Sequence, residues 1–176
     1  RVVLDTLAQH LHRITEFVVE VNQLNTGLSC RMFEKRSENQ EYENFLSLLR
    51  TPGFSRLDLS ISAGAQDDGH WPCFRSGLLR YALSEAKDIQ RISLSTAMAI
   101  PKSVHKPWKY HGGGKEHHFP LRTIFPLDQW PNLRHFGLSH FIVKRQDLID
   151  FLSAMPSTLR SVELSFLEFL ETSKDH

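Results

Sequence analysis

Two cysteines among 176 residues are too few to build a disulfide framework, and Cys30 and Cys73 stand alone, outside any C-x-x-C spacing. No stretch approaches the ~18 to 20 uninterrupted apolar residues of a membrane-spanning helix, and no basic-then-apolar signal segment opens the chain. Charge of neither sign dominates: 21 Lys and Arg face 20 Asp and Glu. That balance removes any global drive toward nucleic acid or an anionic membrane. With 9 Gly, 8 Pro and 40% hydrophobic residues the chain is neither collagen-like nor disordered. These absences leave one folded domain over residues 1–176, in the cytoplasm or nucleus. A chain of this length buries roughly 68–70% of its unfolded surface without metals or disulfides.

What is present is a repeat. Phe54-Ser55-Arg56-Leu57-Asp58-Leu59-Ser60, Ile89-Gln90-Arg91-Ile92-Ser93-Leu94-Ser95, Leu133-Arg134-His135-Phe136-Gly137-Leu138-Ser139 and Leu159-Arg160-Ser161-Val162-Glu163-Leu164-Ser165 all read apolar-x-x-apolar-x-Leu-Ser. This is the core of the leucine-rich-repeat strand, L-x-x-L-x-L. The starts lie 35, 44 and 26 residues apart, so only the last interval falls in the usual range and the longer ones contain insertions.

Helical spacing precedes most of these strands. Tyr42, Phe45, Leu46 and Leu49 fall at i, i+3, i+4, i+7 ahead of Thr51-Pro52-Gly53. Phe74, Leu78, Leu79, Ala82, Leu83 and Ala86 form a second stripe, and Leu148, Phe151, Leu152 and Met155 a third. Residues 123–130, interrupted by Pro126 and followed by Pro131, read as irregular chain. Upstream, Leu11, Ile14, Phe17, Val18 and Val19 suggest a helix and a degenerate first strand, framed as Leu11-x-x-Ile14-x-Glu16. The expected fold is therefore α/β: a leucine-rich-repeat-like solenoid with parallel strands near 55–60, 90–95, 134–139 and 160–165, and helices on its convex side. Arg at position 1 and apolar ends read as the middle of a longer array.

Alternation along a strand sends neighbouring side chains to opposite faces. If the leucines face inward, Arg56, Asp58, Arg91, Ser93, His135, Gly137, Ser161 and Glu163 line a concave, mixed-charge surface suited to a polar segment of another protein. Ser60, Ser95, Ser139 and Ser165 recur at the strand ends, where short hydroxyls satisfy exposed backbone groups.

The other chemistries are poorly supplied. Residues 101–118 hold four lysines, four histidines, Trp108 and Tyr110 against a single glutamate. His105, His111, His117 and His118 lack the spacing of a zinc motif, so neither metal nor cofactor is expected. Gly112-Gly113-Gly114-Lys115 lacks the first glycine and the following Ser or Thr of a phosphate loop. Lysines interleaved with aromatics give an alternative reading as a nucleic-acid contact, against the plainer one of a flexible insertion. Gly137-Leu138-Ser139-His140-Phe141 carries Phe where a hydrolase elbow needs glycine, and Ser139, imagined with His140 and Asp147, is already explained by the repeat. No catalytic residue is assigned. Cys73, just after Pro72 at a helix start, reads as a buried structural cysteine.

The stretch from Trp130-Pro131-Asn132-Leu133 to Ser139, with Asp147-Leu148 and the run from Pro156-Ser157-Thr158-Leu159 to Leu170, resembles the C-terminal region of filamentous-fungal F-box-type proteins with degenerate leucine-rich repeats. Residues 50–59 and 74–79 are similar to that group too, so the likeness runs across most of the chain. It implies a non-catalytic, substrate-recruiting module of a cullin-type ubiquitin ligase. The residues contain no F-box, so adaptor binding is expected only through a segment before Arg1.

Overall fold

The computed structural model describes residues 2–10, 13–19, 27–62, 72–96 and 118–170. Nearly all of the 101–118 insertion lies outside them. Strands β1 (Glu16–Val18), β3 (Arg56–Ser62), β4 (Arg91–Thr96), β5 (His135–Ser139) and β7 (Ser161–Ser165) lie side by side in that order. A short β2 (Leu28–Ser29) joins the far end of β3. Every described pairing is parallel.

Parallel neighbours require crossovers, and helices supply them. Ahead of β1 runs α1 (Val2–Leu7), and ahead of β3 runs α2 (Gln40–Leu49). α3 (Pro72–Arg75) and α4 (Leu78–Ser84) precede β4, α5 (Leu121–Ile124) precedes β5, and α6 (Arg145–Ser153) precedes β7. The result is a mixed α/β structure with a parallel central sheet and no closed barrel.

The four Leu-Ser segments stand in register. Leu57 pairs with Ile92, Ile92 with Phe136 and Phe136 with Val162, while Leu59, Leu94, Leu138 and Leu164 form the parallel row. All but Val162 and Leu164 are buried, in one apolar cluster with the inner faces of the helices. Val162 and Leu164 are partly exposed because no described strand pairs beyond β7.

The α2 stripe is buried as its spacing predicts, and the Asn39 side chain caps the helix by accepting the Tyr42 N–H at 3.0 Å. Burial pushes the Tyr42 phenol up to about 12, so it keeps the proton it donates to the Leu78 carbonyl at 2.9 Å. The stripe before β4 is broken into two helices at Gly77, whose φ of 77° suits a residue without Cβ.

Several expectations are corrected. The first strand is framed as Ile14-x-x-Phe17-x-Val19, with Phe17 paired to Leu57 and Glu16 to Arg56, so the carboxylate points outward instead of taking a leucine's place. The chain before β5 is not irregular. It contains α5 and a 3-10 turn, Leu127–Gln129, and delivers Phe125 and Trp130 to the core. A second small sheet was missed: β6 (Ile142–Val143) pairs with β8 (Glu168–Phe169).

The cysteines do not stand alone either. Cys30, in a 3-10 turn (Cys30–Phe33), and Cys73, in α3, form a disulfide across 43 residues, with Cα atoms 5.2 Å apart. Both are fully buried. The Cys73 N–H also donates to Cys30 Sγ at 3.3 Å.

Candidate binding face

The face opposite the helices carries the alternate strand residues in rows. Arg56, Arg91, His135 and Ser161 occupy equivalent positions on β3, β4, β5 and β7, and Asp58, Ser93, Gly137 and Glu163 form the row two residues on. All eight residues expected to line this surface are thus brought together. Between the rows lies an open groove of about 350 Å³, lined by Arg56, Asp58, Arg91, Ser93, Gly137 and Glu163, with Val18 and Val19 forming the β1 side. Glu16, Val18 and Val19 were missed as contributors; the Ile14-x-x-Phe17-x-Val19 spacing was the signal that could have found them.

The charges here are unequally engaged. Arg56 is tied to Asp58 at 2.7 Å and reaches Glu16 at 3.5 Å. The hydrogen bond and charge of Asp58 hold the Arg56 guanidinium even more firmly charged than usual. Asp58 Oδ1 is 3.6 Å from Arg91 Nε, within ion-pair range but beyond a hydrogen bond. Glu163 approaches only to 4.0 Å of His135 Nε2.

His135 Nδ1 contacts Ser161 Oγ at 2.7 Å. Burial, then the nearby Arg91 charge, holds the imidazole below its ordinary pKa, against the pull of Glu163 and Asp58. The folded state therefore keeps His135 neutral where an unfolded chain would protonate it. This contribution to stability is complete above about pH 6.5 and is lost as pH falls through the lower folded value. Urea midpoints are expected to drop on acidification from pH 7 to 5, with a smaller drop in His135→Gln. An identical pH dependence in both proteins would remove His135 from this account.

Gly137 sets the depth of the groove floor. A Cβ there would stand 2.5 Å from Ser93 Oγ and 2.9 Å from its Cβ. Gly137→Ala must push the β4 side chain aside, at an expected cost of about 1–3 kcal/mol. Thermal unfolding would read it, and an unchanged melting temperature would show that the two strands are spaced more widely.

The serines divide in role. Ser95 Oγ donates to the Leu59 carbonyl at 3.5 Å and Ser165 Oγ to Ser139 Oγ at 3.0 Å, while Ser60 is buried with no hydroxyl partner among the described residues. Ser139 Oγ also meets His140 Nδ1 at 2.8 Å. These are contacts between strands and at the corner beyond them, where His140 and Phe166 take positive φ and stack at 4.7 Å. Asp147 does not complete a hydrolase triad: it accepts the Leu121 N–H at 3.0 Å and lies 3.9 Å from His118. His105, His111 and His117 fall outside the described residues, among which no group of three His, Cys, Asp or Glu is placed to hold a metal.

Comparison with protein-family models, with curated proteins and with solved structures found no match for this chain.

Proposed function

We propose that this chain is a non-catalytic protein-binding module, a leucine-rich-repeat-like array whose polar sheet face holds a segment of another protein. The observation that carries the reading is the register: donors and acceptors from four strands converge on one open groove, opposite the face that packs the core. Partners of mixed charge suit such a surface better than small apolar ligands do, since the groove is open and carries both cationic and anionic side chains among its apolar ones. The nucleic-acid alternative rests on residues 101–118, of which only His118 is among the described residues.

The test compares the proteins retained by the wild-type chain with those retained by an Arg91→Ala/Glu163→Ala variant, read by quantitative mass spectrometry. A specific set lost by the variant, with melting temperatures alike, is the expected result. Identical sets would reject this face.

Within this reading, the resemblance to F-box-type proteins suggests a narrower role: recruiting substrates to a ubiquitin ligase in the cytoplasm or nucleus. No helix of the described residues is long and apolar enough to cross a membrane. The Cys30–Cys73 bridge bears on the compartment, because disulfides persist mainly where the surroundings are oxidising. Alkylation of the protein directly in cells separates the cases: labelled thiols suit the ligase role, and a protected bridge argues for a binding module outside the reducing compartments.

A further inference from the structure

Four charged side chains line the groove, Arg56, Asp58, Arg91 and Glu163, and two of them are already spent on each other. The Arg91 guanidinium makes no hydrogen bond among the described residues and its side chain is 40% exposed. The Glu163 carboxylate makes none either, and its side chain is 67% exposed. One cation held only by a 3.6 Å ion pair to Asp58 and one anion held only by a 4.0 Å approach to His135 therefore flank the groove, with Ser93 and the bare backbone of Gly137 between them.

Their separation follows from the register. Two strand spacings across and two residues along place the Cα atoms of Arg91 and Glu163 roughly 12 Å apart. In an extended chain, residues four apart lie about 13 Å from each other and point to the same side. A polyanion is disfavoured here, because Glu16, Asp58 and Glu163 stand on the same face as the arginines. A segment bearing only cations would meet Arg91 and Arg56.

We propose that the polar face selects extended polypeptide segments carrying an acidic and a basic side chain four residues apart, the acid seated on Arg91 and the base on Glu163. This rests on the protein-binding reading above and specifies its partner. Small residues suit the space between the two charges, since Ser93 and the bare backbone of Gly137 lie between Arg91 and Glu163 on the groove floor. Removing either charge lowers affinity by about three- to fivefold, the worth of one exposed ion pair.

The experiment uses fluorescein-labelled nonapeptides of Ser and Gly carrying Glu and Lys four apart, Glu and Lys adjacent, two Glu four apart, or two Lys four apart. Fluorescence anisotropy is read on the wild type, Arg91→Glu and Glu163→Lys. The wild type is expected to prefer the first peptide, Arg91→Glu the two-lysine peptide and Glu163→Lys the two-glutamate peptide, each preference about tenfold. Should a reversal variant misfold, Arg91→Gln and Glu163→Gln take its place and must each weaken the first peptide three- to fivefold. A wild-type chain that binds the first peptide no better than the others overturns the proposal whatever the variants do. If the retained proteins in the mass-spectrometric comparison still depend on Arg91 and Glu163, the charge spacing alone has failed; if they do not, the binding face itself has.

Discussion

In urea titrations, loss of the Cys30–Cys73 bridge is expected to lower stability by about 4 kcal/mol, from the loop-closure entropy of a 43-residue separation. The loop it closes contains all of α2 and β3, so the bridge restrains the part of the chain that carries Arg56 and Asp58. It also pins the 3-10 turn at Cys30–Phe33 against α3, where the Ser76 hydroxyl donates to the Phe33 carbonyl at 2.5 Å. Both sulfurs are buried, so reduction has to be carried through an unfolding transition. Equilibrium titrations with and without reductant, repeated on Cys30→Ala/Cys73→Ala, read the same loss by two routes. Coincident midpoints with and without reductant would show that no bond spans these residues.

Phe136→Ala is the second large effect, expected to cost about 3–5 kcal/mol. Phe136 is the second residue of β5, with its ring 5.1 Å from Phe125 and 5.2 Å from Phe151, and all three side chains are buried. Phe125 in turn meets Trp130 edge-on at 6.4 Å, and the Trp130 indole N–H donates to the Leu83 carbonyl at 3.1 Å. Truncation leaves a cavity that sheet, α6 and the segment before β5 cannot collapse into together, because each is held by its own hydrogen bonds. Val162→Ala, at the equivalent position on β7, is expected to cost well under half as much, because the side chain is smaller and already partly exposed. Equal losses at the two positions would contradict the burial described for β7.

The strands were legible because their signal is local. Arg56-Leu57-Asp58-Leu59 and its three counterparts alternate with period two, and that alternation alone assigns each side chain to a face. The α2 stripe was legible for the same reason at a period of 3.6. Less was legible where one local signal obscured another. Val19-Glu20 stands in place of Leu-Ser after Ile14-x-x-Phe17, so a search on the leucine pair passed over β1. Pro126 masked the short helical turns on both sides of it, which hold Phe125 and Trp130 in the core by tertiary packing and not by propensity.

By itself the sequence determined that parallel strands run through residues 57, 92, 136 and 162, with apolar side chains buried on all but the last, and that arginine, aspartate, histidine, serine and glutamate share the other face. Only the tertiary structure decided which of those charges cancel. Arg56 takes Asp58 from its own strand and Glu16 from β1, 40 residues away, which leaves Arg91 only a 3.6 Å ion pair with Asp58 and Glu163 only a 4.0 Å approach to His135. The disulfide was decided in the same way. Nothing near Cys30 or Cys73 in sequence announces a partner, and the two meet only because the 3-10 turn at Cys30–Phe33 packs against α3. Face and spacing are properties of a few consecutive residues, whereas pairing is a property of chain segments that the sheet register brings together.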